Sequence, residues 1–558
     1  MADAAGTKNR ATRPDPLLTL LMLLGALGVF GAIAFLTLTK GPLSAEEANS
    51  IVRSLWYAGP AAVPHVAPYT ATDATGQMPL YLHALGYWQR LDSIGPSPAR
   101  LLSVGLALVN GVLLFFITRR LTANTLAAAA AVLILLATPA TAYAFATATP
   151  AALTSALLLL ATWLIVGFMG RPNLAVSALM GVLAALLYFT RQNTILAIVM
   201  LVPLYIAAIG RKRAVHGAVL VVAAALVTAA ILYAFPAKLG DYALRLPVIS
   251  PLLEKAGLLA LNFVIIDHGS TGAVSMAPAF GQFSATEVLD TFVLPYAGTI
   301  ILALALFKLA GGPLKVLWIA PLLFLGLAIA HILASLGYCQ GCMAGYTPTF
   351  SAFGALAAAL ALAMIAHRAR LNGTPAAPAI MVGALAAVAV NAFAPLAAVH
   401  AAYKGAPITQ IASPSAENRD IETMARWVAA NVPEREPVLV LHSLGNAKIP
   451  FLPYAVLLSL HPMPAQSIDP PASRRSVNTA LSATGREAVQ EALEEESLWS
   501  DATLARWIDR DFDFIIFQED RSINQRAQIA AIGQRFDLAA TTVYRGATVY
   551  LYKRKAGQ

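Results

Sequence analysis

Two adjacent carboxylates, Glu46 and Glu47, follow the first long apolar run of the chain, in the segment Gly41-Pro-Leu-Ser-Ala-Glu46-Glu47. A carboxyl group at a membrane edge, beside an apolar wall, is disfavoured as the anion and becomes more basic, which suits it to take a proton from a hydroxyl. Ser44 and Glu47 also fit a Ser-x-x-Glu capping box, which accounts for Glu47 and leaves Glu46 unexplained. Downstream come Gln77-Met-Pro-Leu-Tyr81, an aromatic helix with Tyr87 and Trp88, and Arg100-Leu-Leu-Ser103. Taken singly, Trp88 and Arg100 read as interfacial anchors. Arg191 occupies a turn between two short apolar runs, where it either snorkels or meets an anionic headgroup. Asp267-His268 and Glu46 together offer scattered ligands for a divalent ion. Cys339 and Cys342 have zinc-like spacing but form a single pair, so a small disulfide or two free thiols is the simpler reading. His331, inside an apolar run, reads as a packing residue.

Most of these groups need a membrane to position them. The 558-residue chain is 58% hydrophobic and only 12% charged, with a mean hydropathy of +0.67. Soluble chains carry roughly 25% charged residues, so the bilayer must be the solvent for most of this one. The net charge of +9 lies largely in short clusters between apolar runs, which is an orientation signal and not a nucleic-acid footprint. Apolar runs at 17–39, 101–118, 123–142, 150–169, 174–189, 194–209, 214–235, 291–307, 316–336, 348–366 and 376–398 predict about eleven transmembrane helices. The first is too long for a signal peptide and reads as an uncleaved span. The interiors of these runs are nearly free of charge, so chemistry is expected at one membrane face and not along a conduction path.

Alternate short loops carry Arg119/Arg120, Arg171, Arg211/Lys212/Arg213, Lys308/Lys315 and Arg368/Arg370. The positive-inside rule makes them, with the N-terminal segment 1–16, cytoplasmic. The first large loop (40–100), the second (237–290) and everything after the membrane domain (17–399) are then extracytoplasmic. The run 252–266 is short for a span, and counting it as one would invert the later basic loops, so it reads as an interfacial or re-entrant helix. Residues 400–558 change character. An amphipathic helix is expected at Glu417–Asn431, with Ile421, Met424, Ala425 and Trp427 on one face, and strands at 438–442 and 512–517. A hairpin around Arg545-Gly546 closes what reads as a small α/β domain.

The order of these pieces resembles the GT-C superfamily of membrane glycosyltransferases, in the branch of protein mannosyltransferases and lipid A aminoarabinose transferases. In that branch the first loop reads Asp-Glu, then His-Pro-Pro-Leu-Tyr, then Arg-Leu. The matching residues are Glu46-Glu47, Gln77-Met78-Pro79-Leu80-Tyr81 and Arg100-Leu101. The likeness is clearest over residues 17–121. Thr190-Arg191 looks like the family's Thr-Lys turn, and Gly345-Tyr346-Thr347-Pro348 precedes the tenth span. Three positions depart from the family pattern: Glu46 replaces Asp, Gln77 replaces His, and Gly345 stands where many relatives have Arg.

The resemblance implies an all-α polytopic membrane domain of GT-C type with a small extracytoplasmic α/β domain. It also implies transfer of a sugar from a polyprenyl-phosphate carrier to a glycan, lipid or protein acceptor on the extracytoplasmic face of a bacterial inner membrane. Glu46 would be the base, with Glu47 its neighbour or a cap. Arg191, Arg100, Lys238, Arg245 and Lys255 are the outer cations for the carrier's phosphate. Gln77, Tyr81, His268 and Tyr346 would line the substrate site. No cofactor is required, and a divalent metal is an option. A transporter would carry related halves with broken helices at the midplane, and these are not evident in the sequence. An inactive relative that scaffolds an envelope complex is the other alternative, and Gln77 and Gly345 are what speak for it.

Overall fold

The computed structural model describes residues 16–40, 47, 50–51, 54, 79–91, 96–168, 173–191, 194–209, 213–234, 293–309, 342–402, 416–433, 436, 438–441, 513–518, 526–544 and 547–556. The expected span at 316–336 with His331, the loop 237–290 and Cys339 lie outside them. The helices are α1 (Pro16–Lys40), α2 (Pro79–Leu91), α3 (Pro96–Thr122), α4 (Thr125–Ala137), α5 (Pro139–Ala146), α6 (Ala151–Phe168) and α7 (Leu174–Thr190). They continue with α8 (Ile195–Ile209), α9 (Arg213–Ala234), α10 (Ala297–Leu309), α11 (Cys342–Leu371) and α12 (Ala376–Ala402). Among the described residues, six helices are long and apolar enough to cross a membrane, or seven with the bent pair α4–α5. α7, α8 and the stretch Leu294–Leu309 are shorter apolar helices.

The third expected span is where sequence and structure part. Residues 123–142 do not form one helix: α4 ends at Ala137, and α5 leaves it at 69°. Pro139 supplies no N–H to continue the ladder, and Thr138 adopts an extended conformation at the break. α4 is Ala- and Leu-rich on every side, and each residue from Leu126 to Ala137 is buried. A helix apolar all round belongs inside a bundle, and α4 lies among α1, α3, α11 and α12. By contrast α1 and α12 bury one face and expose leucines, valines and phenylalanines on the other, which suits a lipid-facing wall. Asn124 begins α4 by accepting hydrogen bonds from Leu126 N and Ala127 N.

Close helix approaches lock the second half of the bundle. α7 and α9 meet at Gly181, where any side chain would overlap the Leu220 carbonyl. One turn along, Ser177 Oγ lies 2.7 Å from Tyr205 Oη and 2.6 Å from His216 Nδ1, tying α7, α8 and α9 through buried polar groups. Such hydrogen bonds join helices where apolar contact alone cannot discriminate protein from lipid.

After the bundle, α13 (Ala416–Asn431) buries Met424 and Val428, while Trp427 is only partly covered. Among the described residues four strands follow: β1 (Val438–Leu441), β2 (Phe514–Gln518), β3 (Phe536–Tyr544) and β4 (Ala547–Arg554), with α14 (Arg526–Arg535) before β3. Their order is β1-β2-β4-β3. β1 and β2 are parallel and the other pairs antiparallel. The expected hairpin is present, but its first strand starts at Phe536, well before the expected Val543.

Candidate active site at one end of the bundle

Chain direction brings the start of α3, the end of α5 and the end of α1 together. The first loop returns to this point with a helical stretch in which Glu47, Ser50, Ile51 and Ser54 are all buried. Their i, i+3, i+4, i+7 spacing is one helix face, so Glu47 lies on the inner side of this stretch, against the bundle.

Glu47 and Arg100 form the centre of this contact. Arg100 Nε donates to Glu47 Oε1 at 2.8 Å and Arg100 Nη2 to Oε2 at 3.0 Å. Exposure is 2% for the arginine and 0% for the glutamate. Arg100 Nη1 donates to the carbonyl of Thr37 near the end of α1, at 2.6 Å. The backbone N–H of Ala148, in the turn after α5, donates to Glu47 Oε1 at 2.8 Å. One carboxylate thus joins the first loop to α1, α3 and the α5–α6 turn, through charge-assisted bonds in the bidentate geometry that Arg provides.

Arg100, expected as an exposed snorkelling anchor, is instead buried, and all three of its guanidinium nitrogens donate to protein acceptors. Glu47 is more than a cap: its oxygens are engaged by Arg100 and Ala148, which makes it the anchor of the acidic pair and a poor candidate for a base. Ser44, Glu46, Gln77, Lys238, Arg245, Lys255, Asp267 and His268 lie outside the described residues. So does the side chain of Tyr346, whose backbone belongs to the first turns of α11.

α2 completes this end of the bundle. Gln89 Nε2 donates to Ser54 Oγ at 2.6 Å, binding α2 to the loop helix. Trp88 Nε1 donates to the Pro98 carbonyl at 2.8 Å, so this residue, expected as an interfacial anchor, fixes α2 to the start of α3. Ser97 Oγ donates to the Leu38 carbonyl, joining α3 to α1. Tyr81 is buried on the inner face of α2.

Arg191 ends α7. Its backbone N–H donates to Leu187 O, and its own carbonyl accepts from Thr194 N and Thr194 Oγ1. The guanidinium reaches Thr349 Oγ1 on α11, with Nη1 donating at 3.3 Å. At 5% exposure it is buried, so it is not an ordinary exposed interfacial arginine. Thr347, Thr349 and Ser351 are all buried, in the turns of α11 that follow Gly345-Tyr346. The cation of the Thr190-Arg191 turn therefore faces the segment where the resembled family often places an arginine.

Sequence reasoning missed the backbone donors. Nothing marks Ala148 as a ligand of Glu47, and no local signal could. It also missed Asn391, a buried amide bonded to Thr138 and to the start of α10; a lone Asn in the run 376–398 was the available signal. Among the described residues no group of three or more His, Cys, Asp or Glu could hold a metal.

No protein-family model matches the chain, and no curated protein matches it in sequence. Solved structures do match. The crystal structure of ArnT from Cupriavidus metallidurans bound to undecaprenyl phosphate is similar with a TM-score of 0.56 and 14% identity. That similarity covers 96% of this chain and 98% of that one. The apo state of the same protein gives 0.53 at 14% identity, with the same coverage. The oligosaccharyltransferase of Archaeoglobus fulgidus is looser, at 0.42 and 12% identity over 90% of this chain and 69% of that one. The overall architecture of this chain is therefore that of the ArnT structure.

Proposed function

We propose that this chain, having the GT-C architecture, is a membrane glycosyltransferase that moves a sugar from a polyprenyl-phosphate carrier to an acceptor hydroxyl on a glycan, lipid or protein. The observation that carries the reading is the buried anchor Glu47–Arg100–Ala148. It fixes Glu47 at the end of the bundle, and Glu46 is its immediate neighbour in the chain. An acid worth anchoring by an ion pair in a membrane protein is a functional group by default. The solved ArnT structure with undecaprenyl phosphate supports a carrier of that chemical class.

In this reaction Glu46 accepts the proton of the acceptor hydroxyl as its oxygen bonds to the anomeric carbon. The bond from that carbon to the phosphate oxygen breaks, and the polyprenyl phosphate departs with the electron pair. Arg191 offsets the charge left on the phosphate, as a preorganised cation does best in a site shielded from water. Both groups then belong to the extracytoplasmic face of a bacterial inner membrane, with the N-terminus cytoplasmic and the C-terminal domain outside. No cofactor enters these steps. A divalent ion, if used, would draw on Glu46, Asp267 and His268, and chelation of the purified protein decides that point.

The test is Glu46→Gln, with envelope glycans, lipids and proteins compared by mass spectrometry between cells carrying the parent and the variant. Loss of a sugar-bearing product by about 10² to 10⁴ in rate, with the protein still present in the membrane, is the expected result. Transfer at the parent's rate overturns the mechanism. A parent whose deletion changes no glycoconjugate favours the inactive scaffold, the reading that Gln77 and Gly345 support.

A further inference from the structure

The turn that supplies Ala148 to Glu47 hangs from a helix of eight residues, α5, and the other end of α5 is gripped by a polar cluster remote from the acids. Asn391 of α12 is buried, and its amide uses every hydrogen-bonding position it has. Oδ1 accepts from Gly298 N at 2.9 Å and Thr299 N at 3.2 Å, two of the first-turn donors that α10 cannot satisfy itself. Nδ2 donates to Thr299 Oγ1 at 2.8 Å and to Thr138 Oγ1 at 3.0 Å. Thr138 Oγ1 in turn donates to Ile134 O at 2.6 Å. A flipped amide would set N–H against N–H, so the network allows one orientation.

Thr138 is the single residue between α4 and α5, and the 69° bend is made there. Thr141, one turn into α5, adds a longer bond to Tyr296 Oη at 3.3 Å, just before α10. We propose that Asn391 is a positioning residue for the acidic pair: through Thr138 it sets the direction of α5, and so the aim of the Ala148 N–H at Glu47. The catalytic half of this inference rests on the transferase reading above, while the geometric half does not.

The lever is long enough to matter. Ala148 lies ten residues beyond Thr138, roughly 15 Å of chain at a helical rise. A swing of about 5° at the break moves its far end by about 1.3 Å (15 Å × sin 5°), more than an N–H···O bond near 2.8 Å tolerates. α5 also packs against α1, α3 and α11. Those apolar contacts resist translation but are non-directional, whereas the bonds at Thr138 fix an angle.

The experiment uses the full chain in nanodiscs. Thr138→Val keeps the shape and removes the hydroxyl; Thr138→Ser restores it. Asn391→Leu removes the whole clasp, and Thr138→Val serves if that variant does not fold, since it leaves the Asn391 bonds to α10 in place. Hydrogen exchange at the Ala148 amide is measured together with donor-lipid affinity, KM and kcat. In Thr138→Val, exchange at Ala148 should rise about five- to ten-fold. Turnover should fall roughly ten- to hundred-fold, as misplacement near 1 Å does, with donor affinity unchanged. Thr138→Ser should restore both. Unchanged exchange in Thr138→Val overturns the geometric inference, and faster exchange with unchanged kcat overturns the positioning role. Should the parent itself transfer no sugar, the transferase reading fails separately, and the exchange measurement still decides whether the clasp aims the turn.

Discussion

Glu47→Gln separates a helix cap from a buried anchor. The carboxylate accepts from Arg100 Nε at 2.8 Å, Arg100 Nη2 at 3.0 Å and Ala148 N at 2.8 Å. Glutamine keeps the size but removes the charge, and it turns one acceptor oxygen into an NH₂ that faces a guanidinium. Loss of a cap costs about 1 kcal/mol. Removing one partner of a buried ion pair costs about 3–5 kcal/mol, because the other charge is left buried and unpaired. The two readings therefore differ by about 2–4 kcal/mol, enough to resolve by denaturant unfolding in mixed micelles. A cycle with Arg100→Met sharpens the test, since the double variant leaves no stranded charge and should cost less than the sum of the singles. A Glu47→Gln penalty near 1 kcal/mol, or additivity within about 0.5 kcal/mol, refutes the anchor.

Arg191→Ala should strongly weaken binding of a polyprenyl-phosphate donor in nanodiscs and Arg191→Lys only in part, because Lys offers a point charge in place of a planar fork. Lys255→Ala should do little, and unchanged affinity in Arg191→Ala removes Arg191 from the site. Cysteines placed at positions 60, 270 and 480 should label from outside the cell, and those at 212 and 370 only from inside; inside labelling at 480 would make 252–266 a true span. Gly181→Ala should destabilise the bundle by about 1–3 kcal/mol by forcing α7 from α9. Gly28→Ala, where an added methyl meets nothing within 4 Å, should be nearly neutral in the same unfolding assay.

The long helices were legible because the bilayer imposes a length, and α1, α3, α6, α9, α11 and α12 each exceed it or come close. The order of motifs in the first loop pointed to the right architecture, and it brought Glu47 and Arg100 into consideration. Their pairing was not legible: the two residues are 53 apart in the chain, and each had a sufficient local explanation. The break at Thr138 was hidden by hydropathy, since Pro139 interrupts a run that stays apolar on both sides. The bond from Ala148 was beyond any residue-level signal, because it is made by a backbone group. In the C-terminal domain, alternation marked β4 but not the first half of β3, where Asp537-Leu-Ala-Ala540 exposes most of its side chains.

α7 is short, and that has a consequence for the lipid beside it. Seventeen residues make a helix of roughly 25 Å, while an average hydrocarbon core is about 30 Å thick. α8, with fifteen residues, is shorter still. Both expose apolar side chains, among them Leu174, Leu179 and Val199, so they form part of the wall the acyl chains touch. A bilayer meets such a mismatch by thinning locally, at a cost of fractions of a kcal/mol per Å. Where α7 and α8 cross a bilayer of that thickness, such thinning would draw the headgroup plane towards the end of α7. With the role proposed above for Arg191, that contour would shorten the distance between a carrier's phosphate and the guanidinium.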